Sequence, residues 1–527
     1  MLPICLRGKP YISKSAPPSI RPLIQPALTV DLPTEEEYVC LPSMTFDRAL
    51  ITRFALTALT AEAMFSVPLL SWELVRGKSD TFGVCLALGL AAGASFFVLR
   101  WRAFWSRLLV SFGVRVSGVS RGQWLVLCFI IGTVLRLLWV WMYPAPQRSD
   151  QAAYFGLART LVENHHYSVS NGGLAYWPPG YPFFLTLWLW TFGIKPWVPL
   201  VSNLALFGCA LVVVEHLAAR IGGVPASRLA PALLVPWPTM VMTAGLASKE
   251  MLVLPMLCLS LLVFARVGDV RWRGAGLLLL VFTGALLGFA SLSQPSLQLF
   301  AGVLLAYDWL RSRKLFHSIL RIAVVVGVMG AVIFPWTLRN HRVLGSWVPI
   351  STNGGDVFYR GNNPLATGGY TPRGEQDLSG LDEVARGKVG FRLGLAWIRK
   401  NPRRFLALAV RKQILFLGDD GQGAFETLKR GLDIGGFRYV LWKGGSNLYW
   451  WLLWLLVLLA LAIHWDGPLL RDPLFAAVIL SVLYLYGIHS IFESGAKYHE
   501  PLMGMIGVLA AQTFVRVDAP PTPPIPE

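Results

Sequence analysis

Long apolar stretches recur along most of this chain, separated by short polar segments that are often basic. Roughly 20 apolar residues make a helix long enough to cross a membrane, so each stretch is interpreted as a helical span. About twelve spans are predicted on this basis, near residues 50–72, 82–99, 123–142, 198–218, 229–246, 250–265, 274–290, 296–310, 322–336, 447–464, 473–492 and 499–516. A further stretch, residues 180–194, is short for a full crossing and is predicted to enter the bilayer only partly. The pattern therefore predicts an all-α, polytopic membrane protein.

Basic residues between the stretches predict the direction in which the spans run. Residues 100–122 contain five arginines and no acidic residue, and loops of this kind stay on the cytoplasmic side. The next span would therefore deliver residues 143–182 to the external face. Alternation also places the long segment 338–446 outside, and its basic amphipathic part, residues 391–416, is predicted to lie on the membrane surface.

These assignments divide the chain into consecutive parts. They are a Pro-rich cytoplasmic extension without a signal peptide (1–49), two N-terminal spans with a basic cytoplasmic loop (50–122), a membrane core that carries the first external loop (123–337), a long external loop (338–446), the C-terminal spans (447–516) and a cytoplasmic tail (517–527).

Composition supports a membrane protein and argues against a nucleic-acid-binding one. Hydrophobic residues make up 54% of the chain and charged residues 14%, whereas soluble domains carry about 25% charge. The 21 tryptophans fit aromatic belts at membrane interfaces. The net charge of +18 lies in short clusters between apolar stretches, so membrane lipids are the expected partners. The six cysteines avoid both predicted external loops and form no CxxC pair, which predicts neither a disulfide framework nor a cysteine zinc site.

The segment 143–182 carries the first group with clear chemical potential, Asp150. Ser149 is a good helix N-cap, and a carboxylate in the first turn is stabilised by the helix dipole. Tyr154, Leu157 and Leu161 follow at helical spacing on the same face. By position alone, a simple capping role and a functional role for Asp150 are equally compatible with this pattern.

Three other polar clusters lie at predicted outer ends of spans. They are Lys249–Glu250, Arg339–Asn340 and the run Lys497–Tyr498–His499. Each has a plain alternative, since basic residues at span ends also act as interfacial anchors and snorkelling pairs. His165, His166 and His499 show no metal-ligand spacing, so no cofactor or metal is expected, and a divalent metal stays an open alternative.

Six segments, in order, resemble the GT-C glycosyltransferases that use polyprenyl-phosphate sugars. The similarity is to the bacterial branch related to protein O-mannosyltransferases and the lipid A aminoarabinose transferase. The segments are SDQAAYFGLARTLVENHHYS, YWPPGYPFFLTLWLWTFG, GLASKEMLVLPML, SLSQPSLQLF, PWTLRNHRVLGSWVPISTNGGDVFYRGNNPLATGGY and KYHEPLMGMIGVLAA.

The resemblance implies an enzyme of the bacterial inner membrane that transfers a hexosyl or pentosyl group. Its donor would be a lipid-phosphate sugar, its acceptor a glycan, lipid or protein, and its active site would face the periplasm. Asp150 matches the aspartate of the first external loop, and as a general base opposite the leaving group it would invert the anomeric centre.

The residue types predict how such a site would be assembled. Arg339, Lys497 and Lys249 would neutralise the donor phosphate. The expected substrate contacts are Tyr154, Glu250, Asn340, Tyr498 and His499.

Departures from the family pattern leave the acceptor open. Ser149–Asp150–Gln151 supplies one carboxylate where protein O-mannosyltransferases have an Asp–Glu pair. No lysine accompanies the turn at Trp177–Pro178, where the aminoarabinose transferase has one, and Gln294 replaces a basic residue. A flippase for lipid-linked sugars and an O-antigen ligase-like glycan transferase are the alternative functions.

Overall fold

A computed structural model describes residues 47–168, 173–270, 273–372 and 374–516, and within these segments every regular element is helical. The prediction of an all-α membrane protein is confirmed. The expected cytoplasmic tail and almost all of the N-terminal extension lie outside the described residues. The α-helices are α1 Arg48–Arg76, α2 Thr81–Arg100, α3 Arg102–Ser117, α4 Arg121–Met142, α5 Ser149–Asn164, α6 Gly180–Phe192, α7 Val198–Leu234, α8 Pro238–Met242, α9 Lys249–Arg266, α10 Arg273–Ser293, α11 Ala301–Ser312, α12 Leu315–Leu344, α13 Gly354–Arg360, α14 Glu383–Lys400, α15 Pro402–Gly418, α16 Gln422–Ala424, α17 Gly436–Ile463, α18 Pro473–Ile491 and α19 Met503–Ala511.

Eight of the described helices are long and apolar enough to cross a membrane, namely α1, α2, α4, α7, α10, α12, α17 and α18. Other predicted spans fall on shorter helices, such as α11 with 12 residues and α19 with 9. The count of about twelve spans therefore stays a prediction. The short helix predicted at residues 180–194 is α6.

The structure differs from the sequence-based segmentation at α7. The predicted spans 198–218 and 229–246 share this one helix, which is interrupted by non-helical backbone at Gly222 and Gly223 and ends at Leu234. Several prolines follow the break, and proline lacks the N–H that a continuous helix requires. The irregular chain beyond α7 is satisfied by buried side chains, for example Asn203, whose Nδ2 donates to the carbonyls of Ala244 (2.9 Å) and Leu246 (2.8 Å). Irregular backbone at membrane depth requires such partners.

Two basic segments are helical, the first of which is predicted as a loop. The predicted loop 100–122 contains α3. The amphipathic segment 391–416 is two helices, α14 and α15, which meet at Asn401–Pro402 because proline is compatible with the first turn of a helix but not with its interior.

Helices α10 and α12 pack closely through a pair of glycines four residues apart. A Cβ at Gly284 would lie 2.6 Å from the Val325 carbonyl oxygen, and one at Gly288 would lie 2.7 Å from Cβ of Val332. Small residues at this spacing let helix backbones approach in membranes, where dispersion replaces the hydrophobic effect as the driving force.

We expect Gly288→Leu to lower the free energy of unfolding by about 1–3 kcal/mol, because the larger side chain must displace α12. Gly327→Leu is the matched control, since a Cβ at this position of α12 meets no atom within 4 Å. Thermal unfolding in detergent measures both variants. Equal loss of stability would show that leucine itself, rather than the close contact, is responsible.

Candidate active site

Segments that are far apart in the chain enclose one large cavity of about 1950 Å³. Its wall includes residues of α5, the start of α9, α13 and the turn 493–498. A smaller cavity of about 20 Å³, the volume of a single water, adjoins Asp150, Glu250, Glu426 and Lys497. The predicted site residues can be located relative to these two spaces.

Asp150 lies in the first turn of α5, at the wall of the large cavity. The predicted cap at Ser149 differs in the structure: Arg148 holds the cap position, no side chain caps the helix, and Ser149 has φ 51°. Left-handed backbone at a non-glycine residue costs about 1–3 kcal/mol and is concentrated at functional sites. The geometry therefore places a carboxylate at a strained helix start, where the dipole favours its anionic form.

Lys497 is the closest charged partner of Asp150. Its Nζ lies 3.0 Å from Oδ2 of Asp150, and Nε1 of Trp177 donates to Oδ1 over 3.4 Å. The Lys497 ammonium holds the pKa of Asp150 well below its usual range, and Lys249 and the Trp177 hydrogen bond act in the same direction against the effect of burial. Asp150 is therefore an anion that is already paired with a cation at neutral pH.

Three further predicted residues border the same region. Nζ of Lys249 lies 3.8 Å from Oε1 of Glu250, whose Oε2 accepts a 2.9 Å hydrogen bond from Ser248. The Tyr154 ring lines both cavities and meets the Tyr181 ring edge to face at 5.5 Å. The structure thus brings Lys249, Glu250 and Tyr154 together with Asp150 and Lys497.

Tyr498, the residue after Lys497, also lines the large cavity. Its hydroxyl donates to Oε1 of Glu493 over 2.6 Å, and its ring stacks on His489 at 4.1 Å. Burial raises the pKa of Tyr498 well above its usual value, and Glu493 adds to this effect, so the phenol stays protonated. Tyr498 is positioned to contact a ligand through its ring and hydroxyl.

Arg339 and Asn340 lie outside the residues that line the cavity. The Arg339 guanidinium donates to the carbonyls of Leu174 (2.7 Å) and Tyr167 (2.9 Å). Asn340 is fully buried and donates to the carbonyls of Val348 (3.0 Å) and Ile350 (3.2 Å). Both side chains hydrogen-bond to nearby backbone carbonyls. The sequence alone does not distinguish this structural role from ligand binding.

His499 is also fully buried. Its Nδ1 lies 2.6 Å from the Phe416 carbonyl oxygen, and its Nε2 lies 3.1 Å from Oδ1 of Asp420. The ring stacks on Trp450 at 4.5 Å. These contacts fix the chain directly after Tyr498, so His499 is placed to position the cavity wall.

Glu426 is a second carboxylate that sequence reasoning missed. It borders both cavities, accepts hydrogen bonds from Gln422 (2.7 Å) and Arg430 (3.1 Å), and sits in a π-helical turn, Phe425–Gly431. Burial raises its pKa, although Arg430 opposes the shift. No short motif surrounds this residue, although π-helical turns are frequent at functional sites. Asp150, the single carboxylate that the sequence supplies at this position, is therefore accompanied by Glu250 and by Glu426, which comes from the segment 338–446.

Within the described ranges, no group of three or more His, Cys, Asp or Glu side chains is arranged to hold a metal ion. The neighbouring carboxylates instead pair with Lys497, Lys249 and Arg430. The chemistry available from the described side chains is thus a carboxylate base with adjacent cations in a cavity able to hold a substrate.

Comparison with known proteins found no matching family model and no matching curated protein. Among solved structures, the chain is similar to the oligosaccharyltransferase AglB from Archaeoglobus fulgidus in complex with an inhibitory peptide and a dolichol-phosphate. That match has 13% identity and a TM-score of 0.46, and it covers 74% of this chain and 49% of the other. A second match is ArnT from Cupriavidus metallidurans bound to undecaprenyl phosphate, with 14% identity, a TM-score of 0.35, and coverage of 75% and 78%.

Both matched proteins are GT-C enzymes, the superfamily that the sequence resembles. The chain spans about half the length of the archaeal oligosaccharyltransferase. With identities of 13–14% and TM-scores below 0.5, these matches carry no argument about activity. The function has to be inferred from the site itself.

Proposed function

We propose that this chain is an integral-membrane glycosyltransferase that moves a sugar from a polyprenyl-phosphate donor to an acceptor on the external, periplasmic face of a bacterial inner membrane. One observation carries the proposal: the carboxyl group of Asp150 contacts Lys497 at 3.0 Å on the wall of a cavity of about 1950 Å³ that Lys249 also lines. A base next to paired cations is what transfer from a sugar phosphate requires.

The proposed reaction forms a bond between the acceptor oxygen and the anomeric carbon of the sugar. Asp150 takes the proton of the acceptor hydroxyl. The bond from the anomeric carbon to the phosphate oxygen breaks, and its electron pair leaves with the polyprenyl phosphate. Attack opposite the leaving group inverts the anomeric configuration.

Lys497 and Lys249 have the second role, which is to stabilise the leaving phosphate. A carboxylate with a strongly lowered pKa is a weak base, so Asp150 needs its partner to be drawn away. When the donor phosphate enters, it competes for the Lys497 ammonium and weakens the ion pair between Lys497 and Asp150. Donor binding would therefore raise the basicity of Asp150 when the acceptor is in place.

Arg339 is not needed as a phosphate ligand in this mechanism. Its hydrogen bonds to Tyr167 and Leu174 hold the segment that leads to Trp177, which in turn contacts Asp150. Arg339 is therefore assigned a positioning role. The acceptor stays a glycan, lipid or protein.

The proposal is tested by following a radiolabelled polyprenyl-phosphate hexose incubated with the purified protein and membrane acceptor extract. We expect label to move from the lipid to the acceptor fraction, with one equivalent of sugar-free polyprenyl phosphate released per transfer. Heat-inactivated protein is the control. Movement of intact donor between the leaflets of a vesicle, without transfer, would identify a flippase. Consumption of an oligosaccharide donor alone would identify a ligase-like enzyme. Either result would contradict the proposal.

A further inference from the structure

Arg360, at the end of α13, lines the large cavity and sits between two carboxylates, of which Glu493 also lines the cavity. Its Nη1 lies 3.8 Å from Oδ2 of Asp356, and its Nη2 lies 3.4 Å from Oε2 of Glu493. Both distances exceed the 2.7–2.9 Å of a charge-assisted hydrogen bond. The guanidinium is thus surrounded by acceptors without being tightly bound by either.

Unpaired polar atoms are concentrated in this part of the wall. Nε of Arg360, Oε2 of Glu493, Oγ of Ser494 and Nε2 of His489 are buried without a hydrogen-bond partner, and all four residues line the large cavity. Glu493, Ser494 and His489 are 4%, 2% and 6% exposed. A buried polar atom without a partner is costly, and a ligand that supplies the missing hydrogen bonds would explain several such atoms in one wall.

The backbone beneath these atoms is held in place by its own contacts. A Cβ at Gly361 would lie 2.9 Å from the backbone nitrogen of Glu493, so glycine permits the close approach of α13. Lys412, fully buried, donates to the Ile491 carbonyl over 2.9 Å and to Asn362 over 3.1 Å. Burial lowers the pKa of Lys412 to about 8. The wall is therefore preorganised, which favours ligand binding over collapse.

We propose that Arg360, Glu493 and the adjoining Ser494 and His489, with Asp356 as a further partner of Arg360, form a subsite that binds the hydroxyl groups of a neutral sugar, the one carried by the donor. Sugar hydroxyls donate and accept hydrogen bonds, so they can satisfy carboxylate oxygens and guanidinium N–H groups together. This inference rests on the proposed function and names the substrate class: a neutral sugar linked to polyprenyl phosphate, for which a hexose is the probe.

Charge separates this subsite from the one for phosphate. Arg360 with Asp356 and Glu493 carries one positive and two negative formal charges, which disfavours an anion. Lys497 and Lys249 lie next to Asp150 and supply the cations for the phosphate. The sugar hydroxyls and the donor phosphate would accordingly contact neighbouring but different parts of the wall, linked through Tyr498, which bonds Glu493 and follows Lys497.

The test compares the affinity of the detergent-solubilised full chain for two lipids: polyprenyl-phosphate hexose and sugar-free polyprenyl phosphate. For Arg360→Met we expect about 10–100-fold weaker binding of the hexosyl lipid, and about tenfold for Glu493→Gln, because hydrogen bonds to charged groups are lost. Binding of the sugar-free lipid should change less than about threefold, because this lipid carries no sugar hydroxyls and independent sites couple only weakly. Arg404→Met, an exposed arginine of α15, is the matched control.

Other results would overturn the inference in distinguishable ways. Equal weakening of both lipids would make Arg360 a phosphate ligand, and unchanged binding of both in a folded variant would remove the subsite. Preference of the wild-type chain for an aminopentosyl lipid over the hexosyl lipid would contradict a neutral sugar. If wild type binds neither lipid, the proposed function fails, whatever the variants do. Glu493→Gln preserves shape and answers the question even if Arg360→Met does not fold.

Discussion

Asp150→Asn is expected to lower the rate of sugar transfer by about 10²–10⁴-fold, the usual contribution of a general base. The amide nearly preserves the size of the carboxylate and can still accept from Trp177, but it cannot take the acceptor proton. Donor affinity should hold or improve, because the change removes a negative charge beside Lys497, which then becomes free for the phosphate. Initial rates with radiolabelled donor, together with donor binding, separate the two effects.

Asp466→Asn is the matched control for this experiment, since it neutralises an aspartate that does not line the cavity. Asp466 pairs with Arg53 at 3.3 Å, and its side chain is 88% exposed, so transfer should stay within about twofold of wild type. If a folded Asp150→Asn protein transfers sugar at the wild-type rate, Asp150 is not the base, and Glu426 would be the next carboxylate to examine.

Lys497→Met is expected to lower the rate by about 10²–10³-fold, because one preplaced cation at the leaving phosphate is lost. It should also change the pH dependence. The pKa of Asp150 is lowered chiefly by Lys497, so the wild-type carboxylate stays ionised well below the ordinary aspartate pKa of about 3.9. Without the ammonium this pKa rises, and the acid limb of the kcat/KM profile, which reports the free enzyme, should move to higher pH.

The lowered pKa of Asp150 also makes the stability of the folded protein depend on pH. A carboxyl whose pKa is lowered on folding stabilises the folded state above its unfolded pKa, and this stabilisation is lost as the pH falls towards the folded pKa. Lys497→Met should therefore flatten the acidic part of the stability curve. Lys497→Arg retains a cation and is expected to keep the acid limb of the rate profile near wild type. An unchanged acid limb in Lys497→Met would show that Lys497 does not control the ionisation of Asp150.

Much of the membrane architecture was predictable because the hydropathy of a segment depends only on the residues of that segment. The spans near 50–72, 82–99 and 123–142 coincide with α1, α2 and α4. Prediction was weaker at α7, where two glycines interrupt one helix and prolines follow, so that residues 229–246 are not a continuous helix. The apolar content of the segment alone does not reveal this break in the helix.

The site was predictable in part. Asp150, Lys249 and Lys497 were selected because charged residues at span ends are costly and so mark function. The spatial proximity of these residues could not be predicted, since Asp150 and Lys497 lie 347 positions apart in the chain. Arg339 and Arg360 illustrate the same limit. Arg339 lies near the end of α12 and Arg360 at the end of α13. Arg339 donates to backbone carbonyls, whereas Arg360 lines the cavity and lies between two carboxylates.

The sequence by itself determined that this chain is a helical membrane protein and that polar chemistry is concentrated between spans, because both depend on local composition. Only the tertiary structure decided which charges neutralise each other. Pairing depends on how helices from distant parts of the chain pack, through close contacts such as those at Gly288 and Gly361. For that reason Asp150 is a carboxylate paired with Lys497 rather than a helix cap or an unpaired carboxylate.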